Sequence, residues 1–427
     1  MSQYLHFVDL SYTPSRSDLI CVFCVRPAKG VSFKEAAGRV AAESSNGTWT
    51  ELTTLKPHID RLRARCFKIS GDWIWVAYPL ELFELGNMPQ IWSSVAGNIF
   101  GMKALSGLRL EDIQFPAALL KSFPGPQFGI SGVRKLMNIK NRPLTATVPK
   151  PKIGMTTAEH ADVLFNSWLG GIDFGKDDEN LTSQVFNKFE PRVKTCLRLR
   201  DKAEKITGER KSYFINITAD SRTMEKRAKF VANCGGEYVM VDICTAGWAG
   251  LQHVRDVCSD YKLAIHAHRA FHAAFDRNPL HGLSMLTLAK CARLVGVDNL
   301  HIGTVVGKLV GSLSEVQRLH AEVAAPSVAA TAHLLGQNWG SVKSVLPTSS
   351  GGLHPGLVPA VMHILGPDIC LQAGGGIHGH PSGSLAGARA LRQAIDATLH
   401  HIPLATFART HSELASALFQ WGVKGPV

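Results

Sequence analysis

From residue 144 onward the chain repeats one unit, a short β-rich run followed by an amphipathic helical stretch. Such alternation builds a parallel sheet from βα units. Eight runs read as strands: 145–148, 172–174, 213–217, 238–241, 263–267, 299–302, 342–348 and 369–373. Eight is the number that closes a (β/α)8 barrel, and a barrel occupies roughly 250 residues.

The polar residues that look chemically loaded fall, almost without exception, just after these runs: Lys150, Lys176, Asp178, Glu179, His268, His301, Lys308, Ser350 and the Gly374-Gly375-Gly376 turn. In a parallel barrel the strand ends and the loops behind them converge on one face, so residues far apart in sequence become neighbours. Positions scattered over a surface would not keep that register.

At 427 residues the chain exceeds one compact core, and a second, smaller domain is expected. Strand-like runs at 19–26, 66–70 and 73–78 and helical runs at 33–44 and 55–65 point to an N-terminal α+β domain of ferredoxin-like type over 1–122. A stretch at 122–143, rich in Pro, Gly and basic residues, reads as the connector into the catalytic barrel of 123–427.

Composition excludes several classes. The longest apolar stretches are broken by charges well before the ~20 residues of a membrane span, and Asp9 and Asp18 stand where a secretory signal would be apolar. A cytoplasmic protein without a membrane partner is expected. The nine cysteines are an odd, scattered set, which argues against a disulfide framework. Cys21 and Cys24 lack a second pair to complete a zinc site and read as structural. The net charge of +12 is spread along the chain rather than gathered in a patch, so no nucleic-acid partner is expected and an anionic small substrate accounts for part of it.

The segment Gly170-Gly171-Ile172-Asp173-Phe174-Gly175-Lys176-Asp177-Asp178-Glu179-Asn180 places a lysine and three acids together at a strand end. Carboxylate oxygens suit a hard cation such as Mg²⁺. A lysine amine whose pKa is lowered can react with CO₂ to give an anionic carbamate, a third oxygen ligand. By itself the segment reads equally well as a solvated charge run at a barrel rim. Glycine turns free of side-chain obstruction can cradle phosphate through backbone N–H groups. A tight βα turn is the blander account of a Gly triplet, as a packed polar residue is of His266 and His272.

These motifs together resemble the RuBisCO large-subunit superfamily, over nearly the whole chain. The resemblance implies carbamylated Lys176, Asp178 and Glu179 as the Mg²⁺ site, activated by CO₂. Lys150-Pro151-Lys152 is similar to the strand-one motif of proton-transfer lysines, and the two-residue spacing lets Lys150 and Lys152 face one pocket. His266-Ala267-His268-Arg269 resembles the strand-five motif, with His268 beside the metal and Arg269 as a phosphate ligand. His301 and the loop carrying Lys308 resemble the strand-six lid. Ser350-Gly351-Gly352 and Gly374-Gly375 resemble the last anion-binding turns. Glu43, Thr48, Trp49 and Asn98 lie in segments similar to those that reach a neighbouring subunit's pocket, which implies a homodimer or an oligomer of dimers.

The implied chemistry is stabilisation of an enediolate of a phosphorylated sugar or sugar-acid substrate. An enediolate can capture CO₂ or arise when a β-keto acid loses it. Residues 178–184, 216–220 and 352–356 are most similar to form III carboxylases. Val310 stands where true carboxylases carry an acid two positions after the lid lysine, and the Glu-poor composition lacks the enrichment of hyperthermophile proteins. On those two features a carboxy-lyase is expected, a decarboxylase of the 3-oxo-isoapionate 4-phosphate type, ahead of a form III ribulose bisphosphate carboxylase and then of a sugar-phosphate enolase or isomerase.

Overall fold

A computed structural model of the chain describes residues 3–304, 306 and 312–424. These residues form two compact units. One draws on Met1–Gly125, Phe271–Val295 and Ala325–Val342, and the other on Pro126–Ala270, Gly296–Ala324 and Lys343–Val427.

The first unit is built on strands β1 (Leu19–Pro27), β2 (Arg65–Ser70), β3 (Trp73–Tyr78) and β4 (Leu105–Gln114), paired antiparallel in the order β4-β1-β3-β2. The two-residue segment Gly282–Leu283 adds to β4 in parallel. Central β1 is buried from Leu19 to Val25, as its continuous apolar run requires. Ile20, Val22, Trp75 and Ala77 share one face and pack together, with Tyr12, Phe67, Trp73 and Leu335 around them.

Cys21 and Cys24 sit three apart on β1, and side chains at odd spacing point to opposite faces of a sheet. They cannot jointly hold a metal. All nine cysteines are free thiols.

Two sequence expectations fail in this unit. The helix expected over 55–65 is a single turn, Pro57–Asp60, because the residue before a proline disfavours helical backbone and Arg65 already opens β2. The longest strand, β4, is missed because Arg109, Glu111 and Asp112 interrupt its apolar pattern. Asp112 is fully buried there, and the equally buried Lys290 ammonium donates to it at 2.8 Å. The pairing offsets the cost of burying either charge alone.

The second unit is the expected barrel. Strands β5 (Leu144–Thr147), β6 (Phe174–Lys176), β7 (Ser212–Asn216), β8 (Tyr238–Asp242), β9 (Ala264–His268), β10 (Asn299–His301), β11 (Leu346–Ser350) and β12 (Cys370–Gln372) close into a parallel ring, β12 pairing with β5. Each overlaps one expected run. The 122–143 connector is not featureless: it contains the helix Gly129–Met137, ended by Asn138 in left-handed backbone at φ 54°.

The polarity of the barrel follows from where its strands begin and end. Leu144, Phe174, Tyr238, Ala264, Leu346 and Cys370 are first residues of their strands, and they pack with Val133 and Met137 into one apolar cluster. Each of the larger aliphatic or phenylalanine side chains removed from water contributes about 1.5–3 kcal/mol. Lys176, Asp242, His268, His301 and Ser350 are last residues of theirs. One end is sealed with hydrocarbon and the other carries the chemistry. Among the described residues no helix is long and apolar enough to cross a membrane.

Candidate functional site

The Lys176 side chain, 1% exposed at the end of β6, anchors the site. Its Nζ donates to the Asp177 carbonyl at 2.8 Å and lies 3.8 Å from Glu179 Oε2. Burial lowers the pKa of this amine, more than the nearby carboxylates of Glu179, Asp242 and Asp178 restore it. Glu179 shows the reverse balance: burial pushes its carboxyl up, and opposing contributions led by the Lys176 charge bring it net below the usual range.

Asp178 is 2% exposed and accepts from Lys150 Nζ at 3.2 Å through Oδ2, while Oδ1 accepts from both nitrogens of Asn180. Two carboxylates thus face two lysine amines. Asp177 points the other way. Its carboxylate, wholly buried, receives the Asn216 N–H at 3.0 Å and the Tyr213 hydroxyl, with Arg192 Nε at 3.2 Å and His160 Nε2 at 3.3 Å. The Asn216 side-chain amide reaches across to the carbonyls of Asp178 (3.3 Å) and Glu179 (3.2 Å). Of three consecutive acids, one locks the loop to the neighbouring strand so that the next two present their oxygens.

His268 is held by Asp242, whose Oδ1 is 2.8 Å from its Nδ1, which turns Nε2 toward Glu179 at 3.7 Å. Burial and the nearby Lys176 charge lower its pKa, so the ring is neutral near pH 7. His301 Nδ1 lies 2.8 Å from Ser350 Oγ, and the His268 and His301 rings meet edge to face at 4.7 Å. The Arg269 guanidinium stands at Gly303, where an added Cβ would come within 2.8 Å of Nη2.

Lys150 reaches this cluster and Lys152 does not: Lys152 is exposed. Strand β5 stops at Thr147, so the strand alternation expected to turn both lysines inward does not extend to them. Lys308 and Val310 lie outside the described residues. In the first unit, Glu43 accepts from the Tyr4 hydroxyl at 2.9 Å, Thr48 is half-buried, Asn98 is exposed, and Trp49 is 79% exposed.

Gly351 and Gly352 adopt φ of 116° and 79°, backbone that favours glycine. At Gly376 an added Cβ would fall 2.1 Å from the Leu353 carbonyl, whereas at exposed Gly375 it would meet nothing within 4 Å. Gly375→Ala is therefore expected to leave thermal stability unchanged and raise KM for an anionic substrate. Gly376→Ala should cost about 1–3 kcal/mol through overpacking. Thermal melts beside KM values check both, and an equally stable Gly376→Ala protein would contradict the packing.

Asn216, Asp242 and Asp177 were not singled out from sequence as site residues. Asp242 ends β8 in the same register as the other loaded positions, a signal that was available. The bonds of Asn216 and Asp177 run between strands and leave no sequence signature.

Among the described residues no three His, Cys, Asp or Glu side chains converge as a metal site. The donor set nevertheless fits a hard divalent cation if Lys176 is carbamylated. A buried amine with depressed pKa and the hard oxygens of Asp178 and Glu179 would then give three anionic groups, with Lys150 beside them to limit the net charge.

Comparison with known proteins accords with this geometry. Residues 129–421 match the family described as ribulose bisphosphate carboxylase large chain, catalytic domain, and residues 6–119 match its N-terminal domain. The chain is 51% identical over 427 residues to the ribulose bisphosphate carboxylase of Pyrococcus abyssi, covering 99% of this chain and 98% of that one. It is 48% identical over 421 residues to that of Methanosarcina barkeri, covering 97% and 98%. Among solved structures, the dimeric archaeal Rubisco of Hyperthermus butylicus superposes with a TM-score of 0.94 at 50% identity, over 98% of this chain and 99% of the other. The octameric enzyme of Pyrococcus horikoshii gives 0.92 at 50% identity, over 98% and 97%. With both of its domains matched and half of its residues identical across the full length, the chain belongs to the ribulose bisphosphate carboxylase large-chain family.

Proposed function

We propose that the chain carboxylates ribulose 1,5-bisphosphate. The observation that carries this reading is the full-length identity to proteins named for that activity, together with a site that keeps Lys150, Lys176, Asp178, Glu179, His268 and His301 at one end of the barrel. Sequence alone put decarboxylation of a 3-oxo sugar-acid phosphate first. The relatives reverse that order, and none of those named above carries a decarboxylase title. Composition reports on temperature adaptation rather than chemistry.

On this reading Lys176 as a carbamate, with Asp178 and Glu179, would hold Mg²⁺, which would supply Lewis-acid stabilisation of negative charge on oxygen. Lys150, 3.2 Å from Asp178, is placed to move the proton whose removal next to the ketone gives the enediolate. The enediolate carbon then forms the new bond to CO₂. His268, fixed by Asp242, offers Nε2 as a neutral group beside Glu179. Arg269 and the turns at 350–352 and 374–376 take phosphate oxygens. Lys308 would stabilise the carboxylate that forms as CO₂ is captured. Glu43, Thr48, Trp49 and Asn98 complete the pocket of a second copy, so the active unit is at least a homodimer.

Purified protein given Mg²⁺ and labelled bicarbonate is expected to fix label into an acid-stable product only with ribulose bisphosphate present, and to stop after exhaustive chelation. No fixation, alongside CO₂ release from a 3-oxo sugar-acid phosphate, would restore the decarboxylase.

A further inference from the structure

His266 reads from sequence as a packed polar residue, and packed it is. It is fully buried on β9 with its ring stacked on Phe214 at 4.0 Å and 12°. Yet its Nε2 lies 2.9 Å from the Nε2 of His301, and His301 Nδ1 lies 2.8 Å from Ser350 Oγ. Three residues from three strands form one hydrogen-bonded chain ending where β11 reaches the loaded end of the barrel.

The direction of that chain follows from counting protons. Burial holds both imidazoles well below their ordinary pKa, so each carries a single ring hydrogen. Two Nε2 atoms in contact share one of them. The other nitrogen of His266, Nδ1, is buried without a hydrogen-bond partner. A hydrogen placed there would be an unsatisfied donor in a dry site, at a cost of about 1–3 kcal/mol. A bare lone pair is the more tolerable orphan. The His266 hydrogen therefore sits on Nε2 and is donated to His301, whose own hydrogen is displaced to Nδ1 and donated to Ser350 Oγ. Ser350, already accepting, turns its hydroxyl hydrogen away from the histidine.

We propose that His266 is a positioning residue that sets the His301 tautomer, so that Ser350 presents its hydrogen to an oxyanion of the phosphorylated substrate. The proposal rests on the carboxylase reading only for the substrate's identity. The bonded chain assigns Ser350 the role of donor rather than acceptor, which selects for anionic or carbonyl oxygen at that point and against a substrate hydroxyl that must donate.

The test is a double-mutant cycle in the full-length chain, read by calorimetric binding of ribitol 1,5-bisphosphate, an unreactive sugar bisphosphate that requires no turnover. His266→Phe and Ser350→Ala are each expected to weaken binding about tenfold, the weight of one hydrogen bond to a charged group. The double variant should be no weaker than either single one, since both remove the same donor. His266→Gln, whose amide N–H can stand in for Nε2–H, should recover most of the affinity. Multiplying losses, or a glutamine variant as weak as phenylalanine, would overturn the proposal. Should His266→Phe melt early, His266→Asn carries the same cycle, because its amide is too short to reach His301. Failure of CO₂ fixation with a non-additive cycle would count against the carboxylase assignment and leave this one standing.

Discussion

A Lys176→Ala protein is expected to lose CO₂ fixation by on the order of 10³-fold or more, the scale of removing a principal source of charge stabilisation from a buried site. Lys176→Arg should be equally inactive. A guanidinium keeps the positive charge but stays protonated at any accessible pH and forms no carbamate, so the pair separates the role of charge from that of the amine. Wild-type enzyme stripped of CO₂ should show a lag on adding Mg²⁺ that disappears after pre-incubation with bicarbonate, and neither variant should show it. Substrate turnover by Lys176→Ala at the wild-type rate would end the mechanism.

Folding gives an independent check on the same residue. Burial depresses the native pKa of Lys176 below the ordinary value of 10.5, so in the metal-free chain the native state binds its proton less tightly than the unfolded state. That difference subtracts stability fully below the native pKa and is relieved as pH rises toward 10.5. Lys176→Met, in the absence of CO₂ and metal, should therefore melt higher than wild type near pH 7, with the gain shrinking as pH rises toward 10.5. A residue retained at a cost to the fold is what a functional lysine in this position should look like.

The barrel was legible because strand runs recur and most of them are followed by chemically loaded residues. The boundaries were less so. The run expected at 342–348 forms its strand at Leu346–Ser350, which puts Ser350 on the strand itself rather than in the loop beyond it. Strand β4 was hidden by charges whose partners lie largely far along the chain, Lys290 for Asp112 and the Asp276 and Asn278 carbonyls for Arg109. His266 illustrates the same limit. Its stacking and hydrogen bonding depend on Phe214 and His301, and nothing local to 264–268 distinguishes it from an ordinary buried histidine. Lys152 shows the opposite error, a local spacing rule applied past the end of its strand.

The three adjacent acids show how far such locality reaches, and they carry the second large effect. Asp177→Ala is expected to destabilise the protein by about 3–5 kcal/mol, because it leaves the fully buried Arg192 guanidinium without its carboxylate. For a unit of this size that is a fall in Tm of roughly 6–15 °C. Burial alone pushes the Asp177 carboxyl up, but the Arg192 charge and the bonds from His160 and Tyr213 prevail and hold it at about 2. With a native pKa below the ordinary 3.8, its contribution is present above pH 3.8 and is lost as pH falls through about 2. Acid melts should therefore bring wild type and variant together toward pH 2. Activity should fall as well, since the main-chain bond from Asn216 to Asp177 and the amide bonds from Asn216 to the next two carbonyls fix where Asp178 and Glu179 stand. Removing Arg192 too, as Arg192→Met with Asp177→Asn, should recover a good part of the stability while activity stays low. Full recovery of both would mean that Asp177 serves only the core, and an unshifted Tm in Asp177→Ala would mean that it serves neither.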